Sequence, residues 1–509
     1  MSSRIVLVVA LVAAAAALVG GAAFLAQSVD DPADRPVTLP TFGEPTPPVL
    51  PTPTPSLAPG GPLGEPWGLP NGLRQFRGNP EHTWYGRGPL PAAPSIAWSF
   101  PDRPMCSTTT QSDGTTKRWC GTGWTGQPLV HELDGRTEVI FNSYDGRVYF
   151  LDADSGEPTR PPFVTGEMVK GTWTLDPDGF PLLYGGSRDN FYRIVDIAHP
   201  DGPTELWRMG PHPQGQWNND WDGNGSIVDD VLYVGGEDSF FYVIRLNRSA
   251  APGGVSVAPE VLVATPTFND EYAALTGDRQ TSVESSPVVT EDAVYVANSA
   301  GRVVGWDRGG LLRGEVEIVF DWWAGDDVDA SLVHDDGILY VGVEWDRKLD
   351  RGREVGQLLA LDTSRPDDPW LWGIDLWSER TMRPELPSNV DGGVWATPAL
   401  YGDHLYVTTH RGALLVVDKR GGKITHEEQI GFHEWSSPVV VESDGRGPEL
   451  LVALCEAGGL RAYSLEDPAR PRQTWQLQLP TGACIESTPA VWDGRILVGS
   501  RDGYFYGIR

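Results

Sequence analysis

Four acidic residues stand at matching places in this chain. Asp222, Glu284, Asp329 and Glu486 each lie just ahead of a short, apolar, strand-like run. Trp124, Trp395 and Trp435 hold the equivalent place before other such runs. If these places converge in space, the residue types dictate the chemistry. Carboxylates crowded together raise one another's pKa or recruit a cation. Aromatic ring faces beside carboxylates suit a cationic organic ligand. The seven are the candidate ligand-binding residues, and the four acids are the candidate cation ligands. A plainer role for the acids is to cap strand ends, accepting bonds from Ser, Thr and backbone N–H groups.

Asp220-Trp221-Asp222-Gly223-Asn224-Gly225 reads as the first half of a calcium loop, D-x-D-x-N-G. The second half is out of register, because Val228 and Val231 stand where ligands nine and twelve belong. A turn leading into a strand is the competing reading, so calcium is kept only as a candidate ion. The chain carries no CxxCH haem site and no GxSxG nucleophile elbow. His433, near Trp435, reads as structural. No catalytic residues are assigned.

The elements that must position these residues are announced by a repeat. Asn142-Ser143-Tyr144-Asp145-Gly146-Arg147-Val148-Tyr149-Phe150-Leu151-Asp152 returns at the end of the chain as Gly499-Ser500-Arg501-Asp502-Gly503-Tyr504-Phe505-Tyr506-Gly507-Ile508-Arg509. Intermediate copies end at Asp196, Asn247, Asp307, Asp362, Asp418 and Ser464. The period is about 50 residues, the spacing of radially repeated β-sheet blades. Within a unit, short β-branched or aromatic runs alternate with Asp-Gly-type turns, which is β-meander grammar. The expected fold is all-β: an eight-bladed β-propeller of four-stranded antiparallel blades. The eighth unit lacks an outer strand, and Ser95-Ile96-Ala97-Trp98-Ser99-Phe100 is a spare one. The N-terminal strand is therefore expected to close the last blade and remove the exposed edge.

These segments resemble the pyrroloquinoline-quinone-type repeat family, the quinoprotein alcohol dehydrogenase-like β-propellers. Leu151-Asp152-Ala153-Asp154-Ser155-Gly156 is similar to the family's tryptophan-docking phrase. Gln75-Phe76-Arg77-Gly78-Asn79-Pro80-Glu81-His82-Thr83 is similar to the start of its non-catalytic branch, which includes the scaffold lipoprotein of outer-membrane barrel assembly. The resemblance covers roughly residues 72–509. Catalytic members carry an adjacent Cys-Cys disulfide over the quinone, a Trp platform and calcium ligands. No two cysteines here are adjacent. The quinone's three carboxylates would also oppose four acids at the mouth. Pyrroloquinoline quinone is not expected.

Residues 1–30 form an expected N-terminal anchor or signal, 31–70 a Pro/Thr-rich disordered stalk and 71–509 the propeller. Ile5 to Ala26 is uncharged and apolar; as a helix it would span about 33 Å, enough for a bilayer core. Arg4 precedes it, and Asp30, Asp31 and Asp34 follow. That polarity predicts a single-pass transmembrane helix in the cell membrane, N-terminus inside and propeller outside the cytoplasm. The alternative is secretion after signal cleavage around Gly21-Ala22-Ala23. Four cysteines suit an oxidising compartment. Cys106 is expected to pair with Cys120. Cys455 is expected to pair with Cys484 because both fall on one face of adjacent blades, with free buried thiols as the alternative. The net charge of −30 argues against nucleic acid and permits cationic partners.

The expected function is a membrane-anchored, extracytoplasmic, monomeric propeller that binds or scaffolds without redox catalysis. Its partner would be an envelope protein, a peptide or a cationic small ligand. The alternative is a quinone- or metal-dependent oxidoreductase acting at the central mouth.

Overall fold

The repeat builds eight sheets whose middle strands are largely apolar and buried. Leu182–Gly186 and Val231–Gly235 are buried at every position, because each sheet is covered on both faces by its neighbours. Outer strands such as Thr204–Met209 alternate between exposed and half-buried residues. The computed structural model describes residues 63–509 except 69–70, 111–113, 125, 134, 200, 252–253 and 378–390. The innermost strands are Leu129–Leu133, Thr174–Leu175, Ser226–Val228, Val288–Val289, Val333–Asp335, Ala399–Tyr401, Val439–Ser443 and Ala490–Trp492, one per blade, numbered 1 to 8 in that order.

The repeated turn has a chemical cause. Asp145 and Asp502 accept from the hydroxyls of Tyr149 and Tyr506 at 2.6 and 2.7 Å, and Asp238 holds Tyr242 in the same way. Each aspartate thus clips a turn to the strand that follows. The glycine after it, as at Gly146 and Gly503, sits at φ 79° and 97°, a left-handed conformation that disfavours side chains.

Ile96–Phe100 pairs antiparallel with the strand Phe505–Ile508, so the N-terminal strand closes blade 8. The seam is also docked sideways. Trp98 Nε1 donates to Ala153 O at 3.2 Å, and its ring lies so close to Gly156 that a Cβ there would fall 2.5 Å from it. Trp372 repeats this dock on the next blade, with Nε1 on Lys419 O at 3.1 Å and Gly422 under its ring. Both expected disulfides form, Cys106–Cys120 across a hairpin and Cys455–Cys484 between blades 7 and 8.

The inside of the ring holds a feature that the repeat does not encode. Residues 71–90 form a plug that touches all eight inner strands or their approaches. Gly72–Leu73 pairs with blade 1 and Gly86–Arg87 with blade 8. Arg74 O, Pro80 O and Glu81 O accept from Leu175, Val289 and His334 on blades 2, 4 and 5. Phe76 N donates to Asn224 on blade 3, Tyr85 accepts from Leu400 N on blade 6, and Arg77 donates to Pro438 O on blade 7. The plug satisfies backbone groups on the inward edges of the sheets.

The localisation expectation is corrected. Among the described residues no helix is long and apolar enough to cross a membrane. The helices there, Asp270–Thr276, Arg308–Leu312 and Asp350–Val355, run seven, five and six residues, against the ~20 that a bilayer core requires. The single-pass topology, and the membrane as a partner through it, are withdrawn. Residues 5–26 and the stalk before residue 63 lie outside the described residues.

Candidate functional site

One register explains most of the mouth. Asp222, Glu284, Asp329, Trp395, Trp435 and Glu486 each stand four residues ahead of their inner strand, and so does Lys170 on blade 2. Two residues ahead of each strand runs a belt of hydrogen bonds. Asn224 N donates to Ser286 Oγ at 3.0 Å, Ser286 N to Ser331 Oγ at 2.9 Å, and Ser331 N to Thr397 Oγ1 at 3.0 Å. Thr397 N continues to Ser437 Oγ at 3.0 Å, and Ser437 N to Thr488 Oγ1 at 3.3 Å. This belt fixes the height of the residues above it.

Six of the seven candidates, Trp124, Asp222, Glu284, Asp329, Trp395 and Trp435, line one axial cavity of about 490 Å³, counting the part open to solvent. Phe76 of the plug lies among the lining residues, with Asn224, Ser286 and Ser331 of the belt. Glu486 does not line the cavity. Its carboxylate bonds Arg501 at 2.8 Å, and Arg501 is held between the Trp119 and Tyr144 rings at 4.8 Å from each. Glu486 thus forms an ion pair with Arg501 instead of facing the cavity.

The cavity has an acidic side on blades 3 to 5. Lys170 Nζ contacts Asp220 at 3.0 Å, Asp222 at 2.5 Å and Glu237 at 2.9 Å, and lies 4.7 Å from the Trp124 ring centre. Burial drives Asp222 well above the usual carboxylate range, against the pull of Lys170. Asp220 is pushed to about 6 for the same reason. Glu237 is held low, since Lys170 and its hydrogen bonds outweigh burial. Beyond this trio, Glu284 accepts from Trp124 Nε1 and Ser282 Oγ, both at 3.0 Å. Burial and then Glu237 raise Glu284 to about 8. Asp329 and Glu344 share a hydrogen bond and are both driven well above the usual range, first by burial. Burial lifts Asp327 to about 7 despite Arg347. Oxygens of Asp222, Asp327 and Glu344 are buried without a hydrogen-bond partner. The region is short of cations and of donors.

The opposite side is aromatic. Trp395 stacks on Trp435 at 4.4 Å and on His410 at 4.7 Å, and His433 lies 4.1 Å from Trp435. Trp435 Nε1 donates to His410 Nδ1 at 2.9 Å. Burial, and then His433, lower His410 to about 3, so the ring stays neutral. His433 is part of this packing, the structural role expected of it. Trp124 bridges the two sides from a left-handed backbone, φ 50°, which is strained for a bulky residue. Its ring also meets Trp435 edge-on at 5.7 Å.

Sequence reasoning missed Lys170, Glu237, Asp327 and Glu344. Lys170 follows from the four-residue register. Glu237 and Glu344 follow from a second one, two residues past the end of each second strand (Val231–Gly235, Ile338–Gly342, His404–Thr408 and Arg495–Gly499), which is Glu237 on blade 3, Glu344 on blade 5, His410 on blade 6 and Arg501 on blade 8.

The half calcium loop does not close around an ion position. Asp220 and Asp222 do meet, but the ammonium of Lys170 sits between them, and Asn224 turns its oxygen to Phe76 N at 3.2 Å. Among the described residues, Asp220, Asp222 and Glu237 are the acids close enough together for one metal ion. A tricarboxylate quinone placed in the cavity would meet Asp222, Glu284 and Asp329.

The backbone is similar to that of solved structures. The Saccharomyces cerevisiae Sqt1 matches at a TM-score of 0.51 and 10% identity, over 76% of this chain and 95% of that one. The WD40 β-propeller domain of Doa1 matches at 0.42 and 14%, over 82% and 97%. BamB from Moraxella catarrhalis matches at 0.41 and 10%, over 82% and 100%. At such identities the likeness concerns the fold alone. No protein-family model and no curated protein matches the chain.

Proposed function

We propose that this propeller is a binding module whose axial mouth receives an organic cation, an ammonium or guanidinium group on a small molecule or a basic side chain. One observation carries the reading: Glu284 and Asp329 face a cavity whose other side is the Trp395–Trp435 stack. Carboxylates on one side and ring faces on the other are what a desolvated organic cation needs. Lys170 supports it from within, since its own ammonium is held by three carboxylates and the Trp124 face. An organic cation is preferred to calcium because the one tight acidic trio already surrounds Lys170. The reading agrees with the resemblance to the non-catalytic branch of the quinoprotein-like propellers.

Titration calorimetry with n-butylammonium, tetramethylammonium and calcium at low ionic strength tests it. The organic cations are expected to bind, and Glu284→Gln to weaken them at least ~tenfold. Absence of binding by either organic cation would refute the proposal. A dye-linked alcohol oxidation assay with added quinone and calcium addresses the oxidoreductase alternative. No turnover is expected, and sustained turnover would overturn the binding-module reading.

A further inference from the structure

The mouth is open at one end only. The plug fills the channel beneath it, with Phe76 at the base of the cavity and Arg77 behind, fully buried and bonded to Pro398 O and Pro438 O at 2.9 and 2.7 Å. A chain cannot thread through such a site. A ligand larger than a single cationic group must bring that group down the axis and leave the rest of itself across the rim.

The rim of blade 3 carries a residue that the fold does not use. Trp217 lies in the loop between the outer strand of blade 2, Thr204–Met209, and the inner strand of blade 3. The residue is 58% exposed, and its backbone is left-handed at φ 69°. A bulky residue adopts that conformation only where its surroundings impose it. Here they do. Gln216 N donates to Asp238 O at 2.9 Å, Asn218 N to Glu237 O at 3.3 Å, and Asn218 Nδ2 to Glu237 Oε2 at 2.6 Å. The loop is pinned on both sides of Trp217, and the pinning residue, Glu237, is the one that shares Lys170 with Asp222 of the mouth. A tryptophan serving only to pack would be buried. One held rigidly in water beside a charged pocket has the character of an interface anchor.

Resting on the cation-binding reading, we infer that the natural ligand is a basic polypeptide segment. One Lys or Arg side chain enters the mouth, and the residues flanking it cross the blade 3 rim over Trp217. Charge favours this partner. The chain carries 69 acidic against 39 basic residues, and Glu237, which pins the loop of Trp217, belongs to the acidic trio around Lys170. The dead end excludes threading, so specificity combines one basic side chain with an apolar neighbour.

The test uses two probes on the whole protein: n-butylammonium, which reaches only the mouth, and a capped nonapeptide with one central lysine flanked by apolar residues. Trp217→Ala should weaken the peptide by ~tenfold or more while butylammonium binds as before. Trp217→Phe should keep most of the peptide affinity, and Glu284→Gln should weaken both probes. Thermal unfolding confirms that the variants are folded. Peptide binding to Trp217→Ala equal to that of the intact protein would overturn the inference and leave the mouth reading standing. Failure of both probes to bind the intact protein would overturn the two together.

Discussion

Between blades 2 and 3 the chain builds two cages, each holding one cation among three carboxylates, at opposite ends of the sheets. In the lower cage Arg248 meets Asp176, Asp178 and Asp230, each at 2.6 Å. In the upper, Lys170 meets Asp220, Asp222 and Glu237. The guanidinium fork gives every carboxylate its own N–H, and Asp230 keeps 39% of its side chain in water. The lower cage ends there. The upper cage is buried, and the acids continue past it to Glu284, Asp327, Asp329 and Glu344. A cluster in which every carboxylate has its own N–H on one guanidinium is a clamp. An over-acidic one beside an open cavity has capacity left for a cation from outside.

Breaking the lower cage should have the largest effect on stability. Arg248→Ala takes from three carboxylates the guanidinium that bonds them, a loss of ~3–5 kcal/mol. Denaturant unfolding measures it, and butylammonium affinity of the folded fraction should not change. A loss below ~1 kcal/mol would show that the cage is not a clamp.

Lys170→Met is the matching change above, and its cost should depend on pH. A carboxyl whose folded pKa is raised contributes stability that is complete below its unfolded pKa and lost as pH rises through the folded one. Glu284 at about 8, Asp327 at about 7 and Asp220 at about 6 set that window, against ordinary values of 4.5 and 3.8. Without Lys170 those of Glu284 and Asp220 move further up. The variant should lose ~3 kcal/mol at pH 8 and clearly less at pH 5.5, where protons replace the ammonium. Butylammonium should restore part of the loss. An equal deficit at both pH values would argue that Lys170 acts by packing alone.

Cation binding to the intact protein should run the opposite way. A cation favours ionised Glu284, so affinity should rise through pH 6 to 8, by up to ~tenfold per pH unit for one displaced proton. Calorimetry in buffers of differing ionisation enthalpy counts that proton. A flat profile would mean that Glu284 is already ionised, held so by Trp124 Nε1 and Ser282.

What the sequence made legible follows from the repeat. The eight units, the closing strand Ile96–Phe100 and the convergence of Asp222, Glu284 and Asp329 are all consequences of one register counted from each inner strand. Glu486 shares the register but misses the cavity, because Arg501, delivered by a neighbouring turn, draws its carboxylate aside. The plug was hidden for a different reason. Residues 71–90 do not repeat, and their partners lie as far as 406 positions away, as for Arg87 and Asp493. No local periodicity encodes such contacts. Trp217 was invisible as a rim residue because its role comes from a left-handed backbone and from bonds to Glu237, not from its neighbours in sequence.

A single chemical change, Asp to Asn, separates the two cages most sharply, although the energies are the smallest. Asp176 accepts from Arg248 Nη1 and Tyr184 Oη, both at 2.6 Å, and from Asp178 N at 2.9 Å. Asp176→Asn removes the charge that Arg248 needs and should cost ~2 kcal/mol. Asp329 is in the reverse position. It already has to share a proton with Glu344, under pressure from burial, Glu284 and Asp327. Asp329→Asn replaces that proton with a permanent N–H donor to Glu344 and removes one carboxyl from the crowd. The free protein should gain ~1 kcal/mol at pH 8, while butylammonium binding weakens. Stability and binding would then move in opposite directions at one residue, the signature of a group kept for a ligand at the expense of the fold. If Asp329→Asn destabilises the free protein as Asp176→Asn does, the upper cage is a clamp as well, and the excess of acids at the mouth serves the fold.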